Sequence, residues 1–267
     1  MDRERTRKIA RQLNIIDDTW FQKMAEDAGF CEEMISAILG ETVKVLNVVQ
    51  QDTVKNLQGR SVILDVLCEM EDGSVCVVEV EKSRKHNHFK RVRYNTSCVT
   101  VNITETGSEF EKVPNVKGIY IANFDIFNKG KVIYHIRIIV EETGEECDNG
   151  LREIYVNASA NDGSDLAKLM KIFREQDEYD YEKFPKISKR KQQFLEEERG
   201  ETTMCEIVEN YAKEYAKEYA EECVVESAKE TAKQLFESGV DYETVKKAMK
   251  QIPEDVLQII YNEVKKM

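Results

Sequence analysis

The fold is decided by residues 62–81, which read VILDVLCEMEDGSVCVVEVE. Valine and isoleucine are enriched on both sides of Glu71-Asp72-Gly73, and β-branched runs interrupted by such a turn are typical of an antiparallel hairpin. Acidic residues nevertheless stand inside the apolar runs, Asp65 in the first strand and Glu79 and Glu81 in the second. Charges at such positions are costly to bury, which indicates that they have a role.

The length of the turn decides whether these carboxylates meet, because side chains alternate between the two faces of a strand. A three-residue turn, with Gly73 in the left-handed conformation, places Asp65 directly opposite Glu79. A two-residue turn would instead pair Asp65 with Val80 and separate the carboxylates. We favour the three-residue turn, because it accounts for all the acidic residues together.

Three carboxylates within a few ångströms repel one another and raise one another's pKa unless a cation shares the site. Oxygen ligands without nearby thiolates suit Mg²⁺ or Mn²⁺, ions that commonly bridge carboxylates to phosphate oxygens. The pattern therefore predicts a metal site at Asp65, Glu79 and Glu81 and a substrate that carries phosphate. The alternative is that these acidic residues lie on a solvent-exposed face of the sheet, since exposed hairpins commonly carry them.

The most basic stretch of the chain begins directly after Glu81 and runs to Arg93. It contains no acidic residue, although the whole chain has 39 basic and 51 acidic residues and a net charge of -12. A local patch of this kind can hold phosphates on a protein that is acidic overall. We therefore predict contacts with the phosphates of a polyanion from its six cations, which are Lys82, Arg84, Lys85, Lys90, Arg91 and Arg93. The alternative is a solvated helix face.

Helix and strand patterns are mixed along the chain. Apolar periodicity predicts helices before the hairpin and from the basic stretch to Ile103, and β-branched runs at 43–51, 115–127, 131–142 and 152–158 predict further strands. This mixture predicts an α/β or α+β class.

The C-terminal third is predicted to be helical, with the near-repeat YAKEYAKEYAEE inside a long helix. We interpret this helix as a docking arm or a self-association arm, and self-association would give a homo-oligomer. The predicted organisation is a core at 1–175, a charged linker or helix at 176–202, and an α-helical extension at 203–267.

The seven cysteines include no CxxC pair, which predicts reduced thiols rather than a disulfide framework or a zinc site. Neither a secretory signal nor an apolar run of about 18 residues is present, so we expect a cytoplasmic protein that does not span a membrane.

The order of these motifs resembles a known family. A helix, then ILDVLCEMEDGSVCVVEVE, then KRVRYNTS is similar to the core of the PD-(D/E)XK nuclease family transposases, the recombination-promoting nuclease (Rpn) group. The stretches FDIFNKGKVIYHIR, DNGLREIYVNAS, LAKLMKIF and MCEIVE follow in the same order, so the resemblance covers nearly the whole chain. It implies a restriction-endonuclease-like α/β fold, which is a mixed sheet flanked by helices.

The resemblance also implies a function in recombination or transposition, as a Mg²⁺-dependent DNA endonuclease that hydrolyses phosphodiesters with metal-activated water. By position, Asp65 is the motif aspartate, Glu79 is the motif acid, and both are implied to be catalytic and to bind the metal. Asp18 matches the family's N-terminal acid and is a candidate further ligand, or else a plain helix cap.

Glu81 departs from the family pattern, because it occupies the place usually held by Lys or Gln. Glutamate cannot offset negative charge there, but it can bind metal or accept a proton from water. An active endonuclease is therefore our first hypothesis. The alternative is a catalytically inactive relative that retains DNA binding or assembly.

Overall fold

The computed structural model describes residues 13–50, 53–54, 62–84, 88–196, 224–250, 252 and 254–265 of the chain. The chain divides into two units, Met1–Ile207 and Val208–Met267, and the first unit contains the sheet. The elements described in the first unit are α1 Asp18–Met24, α2 Ala28–Leu39, β1 Val45–Gln50, β2 Thr53–Val54, β3 Val62–Ile63, β4 Val66–Met70, β5 Val75–Glu81, α3 His88–Ile103, a 3-10 turn Phe110–Lys112, β6 Val116–Ala122, β7 Ile133–Ile136, β8 Leu151–Asn157, α4 Asp165–Arg174 and α5 Pro185–Glu196.

The main sheet has six strands in the order β1-β4-β5-β6-β8-β7. The strands β1, β4 and β5 are antiparallel neighbours, β5, β6 and β8 are parallel, and β7 returns antiparallel to β8. Because parallel neighbours require a crossover, α3 links β5 to β6. The predicted α/β class, with a mixed sheet flanked by helices, is confirmed.

The turn of the β4–β5 hairpin has the predicted three residues. The amide of Met70 donates to the carbonyl of Ser74 at 2.9 Å, and Gly73 has a φ of 80°, a left-handed value that glycine adopts without strain. The register pairs Val66 with Val78, which sets Asp65 opposite Glu79. The predicted pairing of the carboxylate positions is confirmed.

Three strand predictions are too long. The first strand of the hairpin is broken at Leu64 and Asp65, between β3 and β4. Asp65 therefore lies just before β4, and its carboxylate turns to the neighbouring strand. The run 115–127 gives a strand only over Val116–Ala122. The run 131–142 gives only the short strand β7, because the chain beyond it pairs with itself through a bridge between Ile139 and Glu146.

Helices cover both faces of the sheet. On one face α3 packs over Val77 and Val116 with Cys98 and Val99, and it comes close to β6 because Gly118 has no side chain. On the other face Cys31 of α2 lies beside Cys68 of β4. Trp20 and Phe21 are fully buried, as expected for core residues.

The predicted reduced thiols are consistent with the structure, which describes five free cysteines. Cys31, Cys68, Cys76 and Cys98 are buried, whereas Cys147 is exposed on the segment after β7. The remaining two lie outside the described residues.

The second unit forms a small helical core. Its helices are α6 at residues 224–237, α7 Tyr242–Ala248 and α8 Glu254–Val264, and they enclose Phe236, Val245 and Leu257. Gly239, with a left-handed φ of 84°, follows shortly after the end of α6. The near-repeat at 211–222 and the start of the predicted long helix lie outside the described residues. No helix among the residues that the structure describes is long and apolar enough to cross a membrane.

Candidate active site

Asp65 and Glu79 form a buried carboxylate pair at the carboxyl end of β5. The two residues are only 7% and 3% exposed. Asp65 is held in place because its Oδ2 accepts a hydrogen bond from the amide of Val80 at 3.0 Å. The bond ties the break before β4 to the neighbouring strand, and it fixes one carboxylate beside the other.

Burial makes a negative charge costly at both positions. Burial raises the pKa of Asp65 to about 7, and repulsion by Glu79 adds to the rise. Burial also raises the pKa of Glu79, an effect that Arg91 and Asn95 oppose and the negative charge of Asp18 increases. The pair is therefore short of positive charge and favours a bound cation.

One cation already comes from α3. The Nη2 atom of Arg91 lies 3.1 Å from Oε2 of Glu79, and its Nη1 atom donates to Oε2 of Glu81 at 2.9 Å. Four residues further on, Nδ2 of Asn95 donates to Oε1 of Glu79 at 2.5 Å. Residues four apart lie on one face of a helix, so a single face of α3 supplies both contacts.

Glu81 uses both of its oxygens within the protein. Its Oε1 accepts from the amide of Ser83 at 2.7 Å, and its Oε2 accepts from Arg91 and, at 3.4 Å, from the hydroxyl of Tyr120. Tyr120 in turn lies 2.8 Å from Nδ1 of His88. The side chain is thereby fixed toward α3 and β6.

Helix α1, near the start of the described chain, contributes two side chains to the site. Gln22 makes a side-chain hydrogen bond to Asp65, and Asp18, one turn earlier, is exposed and close enough to affect Glu79. The preceding residue, Asp17, is 3% exposed and pairs with Lys82 at 2.5 Å. Asp17 rather than Asp18 is the N-cap residue, and Asp18 is the first residue of α1.

The donor chemistry of Asp65 and Glu79 fits a hard divalent cation. Both offer carboxylate oxygens in a buried place, and Oε2 of Glu79 accepts no hydrogen bond although it faces Arg91. Glu81 fits less well, because its oxygens are engaged. Among the described residues, no group of three or more His, Cys, Asp or Glu side chains is arranged to hold a metal. Of the three predicted metal ligands, Asp65 and Glu79 therefore lie together. The third, Glu81, forms an ion pair with Arg91 instead.

The predicted DNA-binding cations do not share one environment. Lys82 pairs with Asp17, the guanidinium of Arg84 lies 4.9 Å from the ring centre of Phe124, and Arg91 points inward. Lys90 and Arg93 are exposed on α3. Lys85 lies outside the described residues. Four of the five described cations are therefore exposed, and Arg91 is the half-buried one among them.

Sequence reasoning missed four site residues, which are Gln22, His88 as a partner of Tyr120, Asn95 and Tyr120 itself. Spacing offered a signal for two of them, since Asn95 follows Arg91 by four residues and Gln22 follows Asp18 by four. Tyr120 lies in the apolar strand β6 and carries no such signal.

Comparison with known proteins gives one match. A family model described as PD-(D/E)XK nuclease family transposase matches residues 28–164, which is just over half of the chain. The matched range contains the hairpin, α3 and β6, whereas Asp18 lies before it. No curated protein and no solved structure matches the chain significantly.

Proposed function

Because the chain belongs to the PD-(D/E)XK nuclease family transposases, we propose that it is a DNA endonuclease that depends on a divalent metal and acts in transposition or recombination. The observation that carries the proposal is the buried pair of Asp65 and Glu79, which lack the positive charge that a divalent cation supplies. The family supports a nuclease-type function, and the pair supports its dependence on Mg²⁺ or Mn²⁺.

Asp65 and Glu79 would hold the metal, with Asp18 as a candidate third ligand from α1. When bound, such an ion lowers the pKa of water and stabilises charge on phosphate oxygens. Gln22 and the amide of Val80 orient Asp65, and Asn95 orients Glu79. These contacts keep the carboxylates in one geometry, which a productive site requires.

DNA would approach over the outer face of α3. Lys90 and Arg93 are exposed on this helix, and Arg84 is exposed shortly before it. Cations at these positions suit phosphate contacts, which position a duplex without reading its sequence. The proposal therefore assigns these residues to affinity for DNA rather than to sequence specificity.

The test is nicking of supercoiled plasmid in Mg²⁺, in Mn²⁺ and in EDTA. We expect cleavage only with a divalent metal, and loss of cleavage in Asp65→Asn and Glu79→Gln. Glu69→Gln is the matched control, because Glu69 is an exposed carboxylate on the same hairpin. Cleavage that persists in EDTA, or in either site variant, would contradict the proposal.

A second candidate function is DNA binding or assembly without cleavage. It is favoured by Arg91, which supplies one positive charge to Glu79 and Glu81 without a metal. The same plasmid experiment separates the candidates, because the second predicts a shift of plasmid mobility without nicking in either metal.

A further inference from the structure

Both carboxylate oxygens of Glu81 accept hydrogen bonds from the protein, so the side chain acts as an anchor that holds neighbouring groups in place. The Ser83 amide occupies one oxygen, and Arg91 and Tyr120 share the other. A metal ligand would have to give up one of these contacts. The contact that fixes α3 to the site is the one to Arg91.

Arg91 is positioned to reach beyond the protein. Its side chain is 36% exposed, while Nη1 and Nη2 meet the two carboxylates. A guanidinium has five N–H donors, so two carboxylate contacts leave others for a further acceptor. A phosphate is an acceptor that arginine binds well.

From this geometry we infer that Glu81 is a positioning residue and that Arg91 is the cation that contacts the scissile phosphate. The inference rests on the proposed function and assigns Glu81 a role other than metal binding. It explains how the chain accommodates Glu at the place where relatives usually carry Lys or Gln. The positive charge reaches the site from α3, and Glu81 holds it there.

The first test separates an anchor from a ligand by measuring Mn²⁺ affinity with electron paramagnetic resonance. The double variant Glu81→Gln/Arg91→Gln keeps the net charge of the pair at zero, so we expect an affinity within about threefold of wild type. Glu79→Gln removes a ligand and should lower the affinity by about tenfold or more. Glu69→Gln, which changes an exposed carboxylate on the same hairpin, should leave Mn²⁺ affinity unchanged.

The second test uses a variant in which the positive charge is supplied by position 81 on β5 instead of position 91 on α3. At saturating Mg²⁺, Glu81→Gln/Arg91→Gln should lose plasmid cleavage, because the site keeps its metal but loses its cation. The variant Glu81→Lys/Arg91→Gln restores a cation from position 81 and should cleave about tenfold faster than the neutral double variant. A merely structural role of Arg91 predicts no such rescue.

Thermal melting in EDTA shows whether each variant is folded. If the neutral double variant does not fold, Arg91→Lys and Arg91→Gln are compared with Glu81 intact. Retained cleavage in Arg91→Lys alone supports the inference, and equal loss in both overturns it.

Different results would overturn the role of Glu81 and the endonuclease activity. A tenfold or larger loss of Mn²⁺ affinity in the neutral double variant, or no rescue by Glu81→Lys/Arg91→Gln, overturns the role of Glu81 and leaves the endonuclease standing. A wild-type chain that binds Mn²⁺ but does not cleave overturns the endonuclease, while Mn²⁺ affinity still decides whether Glu81 is a ligand. A chain that does not bind Mn²⁺ overturns both.

Discussion

At the scale of single residues, Asp65 combines a structural and a chemical role. Its Oδ2 accepts from the amide of Val80, and its burial next to Glu79 raises its pKa to about 7. The hydrogen bond stabilises the break before β4, whereas the charge costs free energy when no metal is present. Substitutions can separate these two effects.

Asp65→Asn should abolish metal-dependent cleavage and keep or raise the melting temperature in EDTA, because the amide oxygen still accepts from Val80 while the buried charge is gone. Asp65→Ala should also abolish cleavage, but it should destabilise the protein relative to Asp65→Asn by about 1–3 kcal/mol, since a buried amide loses its acceptor. Plasmid nicking and urea unfolding measure the two effects. Equal stabilities of the variants would contradict the role of the hydrogen bond.

At the scale of elements, the orientation of α3 determines which of its side chains face Asp65 and Glu79. The helix carries Arg91 and Asn95 inward and Lys90 and Arg93 outward. Its rotation is set by close packing on β6, where an added methyl group at Gly118 would lie 2.8 Å from Cγ2 of Thr96. Packing on one strand therefore decides which cations face the carboxylates.

Gly118→Ala should move α3 and destabilise the protein by about 1–3 kcal/mol, because it overpacks the contact with Thr96. Thr96→Ser removes the methyl group that would be hit and keeps the hydroxyl, so the double variant should recover most of the loss. Chemical denaturation of the two single variants and the double variant measures this coupling. Additive losses would show that the contact with Thr96 does not set the helix position.

A buried lysine joins two helices behind the sheet. The ammonium group of Lys191 on α5 donates to the carbonyls of Ile172 and Glu178, at 2.9 and 3.0 Å, and to that of Glu175. Ile172 lies in the last turn of α4 and Glu175 directly follows it, where a helix presents carbonyl acceptors without partners and favours a positive charge. Lys191 therefore caps α4 from a neighbouring helix.

Lys191→Met should destabilise the protein by about 2 kcal/mol or more, because it leaves buried carbonyls without a donor. Lys189→Met is the matched control on the same helix, since Lys189 is exposed, and it should have little effect. Denaturant midpoints compare the two variants. Similar midpoints would contradict the capping role.

The register of the hairpin could be predicted from the sequence because it depends on local chemistry, namely the glycine of the Glu71-Asp72-Gly73 turn and two costly carboxylates. The inward direction of Arg91 could not, because a run of cations gives no helix rotation. That rotation follows from Gly118, which lies 27 residues further along the chain than Arg91. The contact of Tyr120 with Glu81 likewise depends on the pairing of β5 with β6, which sequence periodicity does not specify.

At the scale of the whole molecule, an acidic chain with a net charge of -12 is proposed to bind DNA through few exposed cations. Lys90→Gln/Arg93→Gln should flatten the dependence of log K on log salt by up to about 2, since each phosphate contact contributes slightly less than one unit. Lys189→Gln should leave the slope unchanged. Fluorescence anisotropy at several salt concentrations measures it, and an unchanged slope in the double variant would move the DNA contact elsewhere.

The second unit is proposed to serve self-association. Deletion of residues 208–267 removes the helical core formed by α6, α7 and α8 together with the preceding near-repeat. We expect a smaller oligomer by sedimentation and little change in the salt slope, because the predicted DNA contacts lie in the first unit. An unchanged number of subunits per particle would contradict the association role.

The charge balance of the site has a consequence for the order of folding. The β4–β5 hairpin closes over a three-residue turn, whereas Arg91 arrives only when α3 docks and β5 pairs with β6. Local contacts generally form earlier than distant ones. We therefore expect Asp65 and Glu79 to meet before their counter-ion arrives, so the uncharged forms of these side chains should fold faster than the charged ones.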